Sequence, residues 1–204
     1  MKYSKVAATA LVIAICSPLA SCRTEGSPVH DHGIRQIDDN GLRLPFSTVH
    51  SRRWNAANDG TTYEPCTALA ATQLEAHGID PHSVKDAAGT NGQTLRGCSW
   101  DYVGDIRTEH WMLSQIVGNS TGLANDKRMK STTRDIWLDD QTADGRTVGL
   151  HAIAPNIQCD TYVQSGKAAV TTLVMHIGRA EQPLSALCDR AIAFTRATIG
   201  RMPE

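Results

Sequence analysis

The 204-residue chain lacks the short motifs that usually expose an enzyme. It has no G-x-S-x-G elbow, so no strand-to-helix turn presents a nucleophilic serine. It has no G-x-x-x-x-G-K-[ST] loop to cradle phosphates. Gly166-Lys167 lacks both the upstream glycine and the following hydroxyl. H-E-x-x-H is missing, and so is C-x-x-C. No cysteine has a histidine two to four residues away, so the spacing of a structural zinc site is absent. No catalytic residue, metal ligand or cofactor-binding residue is assigned from sequence, and no cofactor is expected. There is no surplus of basic charge either: the formal net charge is −1. Such a balance argues against nucleic acid as a partner. Nor is there a long hydrophobic run. The longest uncharged apolar stretch near the start, Val6 to Ile15, is ten residues. It spans roughly 15 Å as a helix, about half a bilayer core, too short for a permanent transmembrane helix.

What is present begins with that stretch. Lys2 and Lys5 precede it and Pro18 follows it, the layout of a secretory signal. Leu19-Ala20-Ser21-Cys22 closes it. Leucine at −3 suits ordinary signal peptidase poorly. With small residues at −2 and −1 and cysteine at +1, the tetrapeptide resembles a bacterial lipobox. That resemblance implies a mature protein beginning at a lipid-modified Cys22, fixed to the extracytoplasmic face of the cell membrane. Two or more acyl chains anchor stably, at about 0.8 kcal/mol per buried methylene, so no basic patch is needed. Losing the leader removes two lysines and no acid, which moves the formal charge from −1 to about −3.

Six cysteines are present. Cys16 leaves with the leader and Cys22 takes lipid. Cys66, Cys98, Cys159 and Cys188 remain, an even set that reads as two disulfides in an exported chain. Three pairings are open. Cys66–Cys98 and Cys159–Cys188 are favoured because sequence neighbours close the shortest loops, each stabilising by roughly 3.5 kcal/mol in the chain-entropy picture.

Three segments follow: residues 1–21 as signal peptide, 22–43 as lipidated N-terminus and flexible tether, and 44–204 as a single globular domain. The tether is polar, with Gly26, Ser27, Pro28 and Gly33 among charges, and reaches about 25 Å. In the domain, Pro65 suits a first helical position, and Cys66, Leu69, Ala70 and Leu74 form one stripe that Gly78 ends. Strands are expected over Gly97–Val103, Glu109–Val117, Asp135–Asp140, Val148–Ala154, Cys159–Gln164 and Ala168–Ile177. Hairpin turns fall at Asp144-Gly145 and Ser165-Gly166, and a short helix is placed in Asn119–Lys130. A last helix opens at Pro183 with Leu184, Leu187, Cys188, Ala191, Thr195 and Ile199 on its apolar face. The fold class is α+β: an antiparallel sheet flanked by an N-terminal and a C-terminal helix, each stapled to it by a disulfide.

Tyr63-Glu64-Pro65-Cys66 opening a helix, Gly97-Cys98-Ser99-Trp100 opening a strand and two C-terminal cysteines, all behind a lipobox, resemble small actinobacterial lipoproteins of a domain of unknown function. Many members carry Asp-Pro-Cys, so Glu64 departs by one methylene from a short helix cap. The resemblance implies an envelope location and a PsbP/Mog1-like sheet-and-helix fold. It brings no reaction and no catalytic residues.

Four further residue groups could carry chemistry. His30-Asp31-His32 lies in the tether, where nothing fixes its geometry. His110, His151 and His176 fall in strands. Asp139-Asp140 and Asp144 crowd a hairpin turn, where carboxylates are ordinarily solvated turn formers. Trp100, Trp111 and Trp137 are core candidates and the first place to look for a pocket. The functional expectation is a membrane-anchored, non-catalytic module binding an envelope protein or an apolar or glycan-like ligand. An enzyme acting on cell-wall or lipid substrates and an accessory subunit of a membrane complex stand as alternatives.

Overall fold

The computed structural model describes residues 33–104, 107–153, 155 and 157–204. Cys22 and His30-Asp31-His32 lie outside the described residues. The compact unit begins at Gly33. Among its residues seven strands form one antiparallel sheet: β1 (Lys85–Asp86), β2 (Arg96–Asp101), β3 (Glu109–Asn119), β4 (Asp135–Ala143), β5 (Arg146–Ile153), β6 (Gln158–Ser165) and β7 (Ala168–Gly178), in the order β1-β2-β3-β7-β6-β5-β4. Three helices accompany it: α1 (Ala71–Ala76), α2 (Leu123–Met129) and α3 (Leu184–Thr198).

The sheet is built from period-two alternation, and β7 shows it most plainly. Ala168, Val170, Thr172, Val174 and His176 are buried, while Ala169, Thr171, Leu173 and Met175 alternate with them at intermediate exposure. The buried residues of β3 and β7, with the β5 and β6 residues in register with them, point to one face. There Leu113, Val174, Cys159 and Leu150 meet Leu187, Ala191 and Phe194 of α3, and Leu44, Leu74 and Ile79 complete the layer. A second cluster, with Val117, Val148, Val163, Val170 and Ile199, continues the same core toward the helix C-terminus. The opposite face carries α2 and no other helix of the described residues.

Both expected staples are in place. Cys66 is bonded to Cys98 on β2, and Cys188 of α3 to Cys159 of β6, with Cα separations of 5.3 and 5.1 Å. The first staple corrects one expectation. The continuous helix from Pro65 to His77 is instead a 3-10 turn, Pro65–Thr67, followed by the separate α1. Ala70 between them is extended, and its N–H is taken by the Gln73 side chain at 3.0 Å. Cys66 bonded to β2 and Thr67 donating to Asp38 Oδ2 at 2.6 Å hold the first turn out of register with the second.

Glu64 caps the 3-10 turn in spite of its extra methylene, accepting from Cys66 N at 3.3 Å. Gly97 is required where it stands. A Cβ there would lie 2.1 Å from the Gln115 carbonyl oxygen and 2.7 Å from Ile116 Cα, both backbone atoms that cannot yield. The Asp144-Gly145 hairpin has positive φ at both residues, 47° and 73°, as the primed turn requires. The β6–β7 turn falls at Gly166-Lys167, one residue later than the sequence suggested, because Ser165 still pairs with Ala168.

Candidate functional site

The candidate site lies on the face opposite α3, and β6 supplies its centre. Since Cys159, Thr161 and Val163 belong to the α3 side, Gln158, Asp160 and Tyr162 must project the other way. Register brings His151 of β5 beside Asp160 and Trp137 of β4 beside His151. The three β6 residues are buried although they are polar, with Asp160 only 1% exposed.

His151 is fully buried between two carboxylates. Its Nδ1 lies 3.2 Å from Asp160 Oδ2 and its Nε2 lies 2.9 Å from Asp135 Oδ1. With both carboxylates ionised, both contacts are hydrogen bonds only when both ring nitrogens carry protons. Asp160 also accepts from Gln158 Nε2 at 2.9 Å and from the Tyr162 hydroxyl at 3.3 Å. Lys130 Nζ donates in turn to Tyr162 Oη. Burial, and then the Asp160 charge, push the Tyr162 phenol up, so it stays protonated. Asp135 Oδ2 accepts from Thr132 N and Oγ1, both at 2.7 Å. Those Thr132 contacts first, and His151 after them, hold the Asp135 carboxyl down at about 2. Trp137 closes the cluster, with ring centroids 4.8 Å from His151 and 5.3 Å from Tyr162 and its indole N–H on the Lys130 carbonyl at 2.7 Å.

This is not the geometry of a general base. A base must offer a free ring nitrogen within about 2.6–3.2 Å of the proton it removes. Both nitrogens of His151 are spent on carboxylates, and the ring meets no solvent. The cluster instead fastens the α2 segment to the sheet. Leu123 of α2 packs onto Gly149, where a Cβ would stand 2.3 Å from Leu123 Cδ1.

Beside this cluster, α2 leans over the sheet and leaves a groove of about 230 Å3. Ile116, Leu173 and Leu95 form its apolar side, and Lys130, Asp126 and Gln158 its polar side. A second cavity, of about 430 Å3, lies past α2 and shares Asp126, Tyr162 and Ala169 with the first. Farther along β3 and β7 the same face continues as cross-strand pairs of intermediate exposure, Met112 with Met175 and Ser114 with Leu173.

Other residues singled out from sequence lie elsewhere. His110 meets Asp101 at 2.8 Å and His176 meets Glu109 at 2.6 Å, near the end of the sheet where β3 begins. Asp139 and Asp140 sit at a bulge in β4, not in the turn, and Asp140 pairs with Lys127 at 2.8 Å. Trp100 is core, and Trp111 lies under Arg190, 4.3 Å from ring centroid to guanidinium carbon. None of the three singled-out tryptophans lines the groove. Asp160, Tyr162, Lys130, Asp126 and Gln158 were missed. Three of them carried a signal, the set Gln158-x-Asp160-x-Tyr162, spaced by two in a strand that alternates with Cys159, Thr161 and Val163; Lys130 and Asp126 carried none. Among the described residues no three His, Cys, Asp or Glu side chains converge as metal ligands.

The family model of a protein of unknown function, DUF3558, matches residues 20–201. The chain belongs to the DUF3558 family. No curated protein and no solved structure matches it. The groove and the buried His151 cluster therefore describe a DUF3558 domain from its own residues.

Proposed function

We propose that this DUF3558 protein is a non-catalytic binding module of the cell envelope, held at the membrane by lipid on Cys22, with its ligand seated in the groove beside α2. One observation carries the reading. Buried polar side chains converge on a half-apolar groove, while the histidine behind them has both nitrogens engaged. Binding sites combine an apolar wall with a few placed polar groups, whereas acid–base chemistry needs a titratable atom facing the cavity. The leader and Cys22 supply the address.

Two measurements test it. Cys22→Ala moves the protein from the membrane fraction to the medium; unchanged fractionation refutes anchoring by lipid. A photo-crosslinking residue at position 116 in living cells gives an adduct of discrete mass. The same residue at Val49, three-quarters exposed and not part of the groove, gives none. Equal labelling at both positions removes the groove from consideration.

A further inference from the structure

Resting on that reading, we infer that the groove takes a neutral, polyhydroxylated ring: one sugar residue of an envelope glycan or glycolipid. The inference comes from the polar groups that the fold leaves unused around the cavity. Gln158 is 9% exposed and lines the groove. Its Nε2 is committed to Asp160, and among the described residues no donor reaches its Oε1. That oxygen is not sealed from solvent, since Asp86 Oδ2 is the buried side-chain atom left without a partner among the described residues, so a ligand or water in the groove can supply its donor. The Lys130 ammonium has three N–H donors and contacts the hydroxyl and ring of Tyr162, leaving donors to spare. Asp126 accepts from Ser120 Oγ at 3.0 and 2.9 Å and makes no ion pair among the described residues, so lone pairs remain. The vacant valences thus include acceptors and donors around an apolar patch of Ile116, Leu173 and Leu95.

Charge then selects the ligand. Lys130 is the only cation lining this groove among the described residues, and Asp126 and Asp160 line it too. An anionic headgroup facing Lys130 would also face two carboxylates. A simple ammonium facing Asp126 would face Lys130. A hydroxyl avoids both conflicts because it donates to Asp126 or to Gln158 Oε1 and accepts from Lys130. A pyranose ring carries several hydroxyls on its rim and C–H groups on its faces, and the latter suit the Ile116–Leu173 wall. Size agrees, since about 230 Å3 is below the roughly 300–1,000 Å3 that encloses a drug-sized ligand, which leaves room for one ring.

The test uses the secreted Cys22→Ala protein, otherwise full length and oxidised, with two-dimensional amide NMR. Glucose, galactose, mannose and maltose are the neutral probes. Glucuronate is the same ring with a negative charge, and alanine is a zwitterion that could bridge Lys130 and Asp126. At least one neutral sugar gives saturable shifts centred on residues 116, 130, 158 and 173. Glucuronate binds at least tenfold more weakly. Lys130→Met weakens the sugar at least tenfold. Ile116→Trp fills the groove and abolishes the shifts with an unchanged urea midpoint; it keeps the test decisive should Lys130→Met loosen α2. Tighter binding of glucuronate or alanine than of every neutral sugar overturns the inference, as does the absence of any groove shift with neutral sugars. A discrete adduct at position 116 in cells, with no sugar-induced shift, overturns the sugar and leaves the binding module standing. Absence of both overturns the two together.

Discussion

At the scale of single residues, Glu64 explains why the turn before Cys66 is so tightly held. Its Oε1 accepts from Arg53 Nη2 at 3.0 Å and its Oε2 from Arg53 Nη1 at 2.8 Å and Arg96 Nη1 at 2.9 Å. Arg53 reaches Asp86 as well, at 3.0 Å, so two buried guanidinium groups stand against two carboxylates. Burial acts to lower the pKa of Arg53, and Glu64 and Asp86 together outweigh it and leave that pKa raised. Removing one partner of a buried set strands the others without compensation. Glu64→Gln is therefore expected to cost about 3–5 kcal/mol, read as a lower urea midpoint. A loss under 1 kcal/mol would show that the cluster is not held by charge. Asp135 makes a prediction in pH. Its carboxyl is held down from an ordinary value of 3.8 to about 2, so it stabilises the fold above pH 3.8, and that contribution fades as pH falls toward 2. Asp135→Asn should lower stability most near pH 6 and hardly at all at pH 2. A difference from wild type that persists undiminished at pH 2 would contradict the assignment.

At the scale of elements, α2 decides whether the groove exists. It is only seven residues long and has no buried residue, so its own propensity does not hold it. It is held by Leu123 on Gly149, by the Lys130 contacts and by Lys127 on Asp140. Gly149→Val should force Leu123 outward and cost about 1–3 kcal/mol as overpacking. Hydrogen exchange would quicken across residues 122–131 while β3 and β7 stay protected. Unchanged exchange in α2 would mean that Leu123 is not its anchor. Sequence alone placed a short helix in this polar stretch but gave no sign of which face of the sheet it covers, because Leu123 and Gly149 are 26 residues apart. The broken helix at Pro65 teaches the same lesson from the other side. The stripe Cys66, Leu69, Ala70, Leu74 has helical spacing, yet a disulfide and the Thr67–Asp38 bond fix its first turn from outside.

At the scale of the whole molecule, the sheet is loaded on one face. α3, the Pro65–Thr67 turn and the segment through Leu44 all pack on that face, and the two disulfides tie two of these pieces to the sheet. Replacing Cys159 and Cys188 together by alanine frees a loop of sequence separation 29 and should cost about 2–5 kcal/mol, most of it through a less restricted unfolded chain. Refolding with and without reductant measures it. A midpoint unmoved by the replacement would mean that α3 docks through Leu187, Ala191 and Phe194 alone. The groove lies on the less loaded face. There Met112, Ile116, Leu173 and Met175 keep intermediate exposure because among the described residues no second helical layer covers them.

Six of the seven strands, the closing helix and the Asp144-Gly145 hairpin were legible in the sequence itself, which also favoured the cysteine pairing that the fold holds, whereas the two-residue β1 was not. Each legible feature follows from a local rule: period-two alternation, loop closure between nearest cysteines, or a turn that needs positive φ. The buried pairing of His151 with Asp135 and Asp160, the joining of Glu64 to both Arg53 and Arg96, and the groove under α2 were decided by tertiary structure alone. Those side-chain contacts join residues 9 to 32 positions apart, through strand register and packing, and no local pattern records which side chains a register will bring face to face.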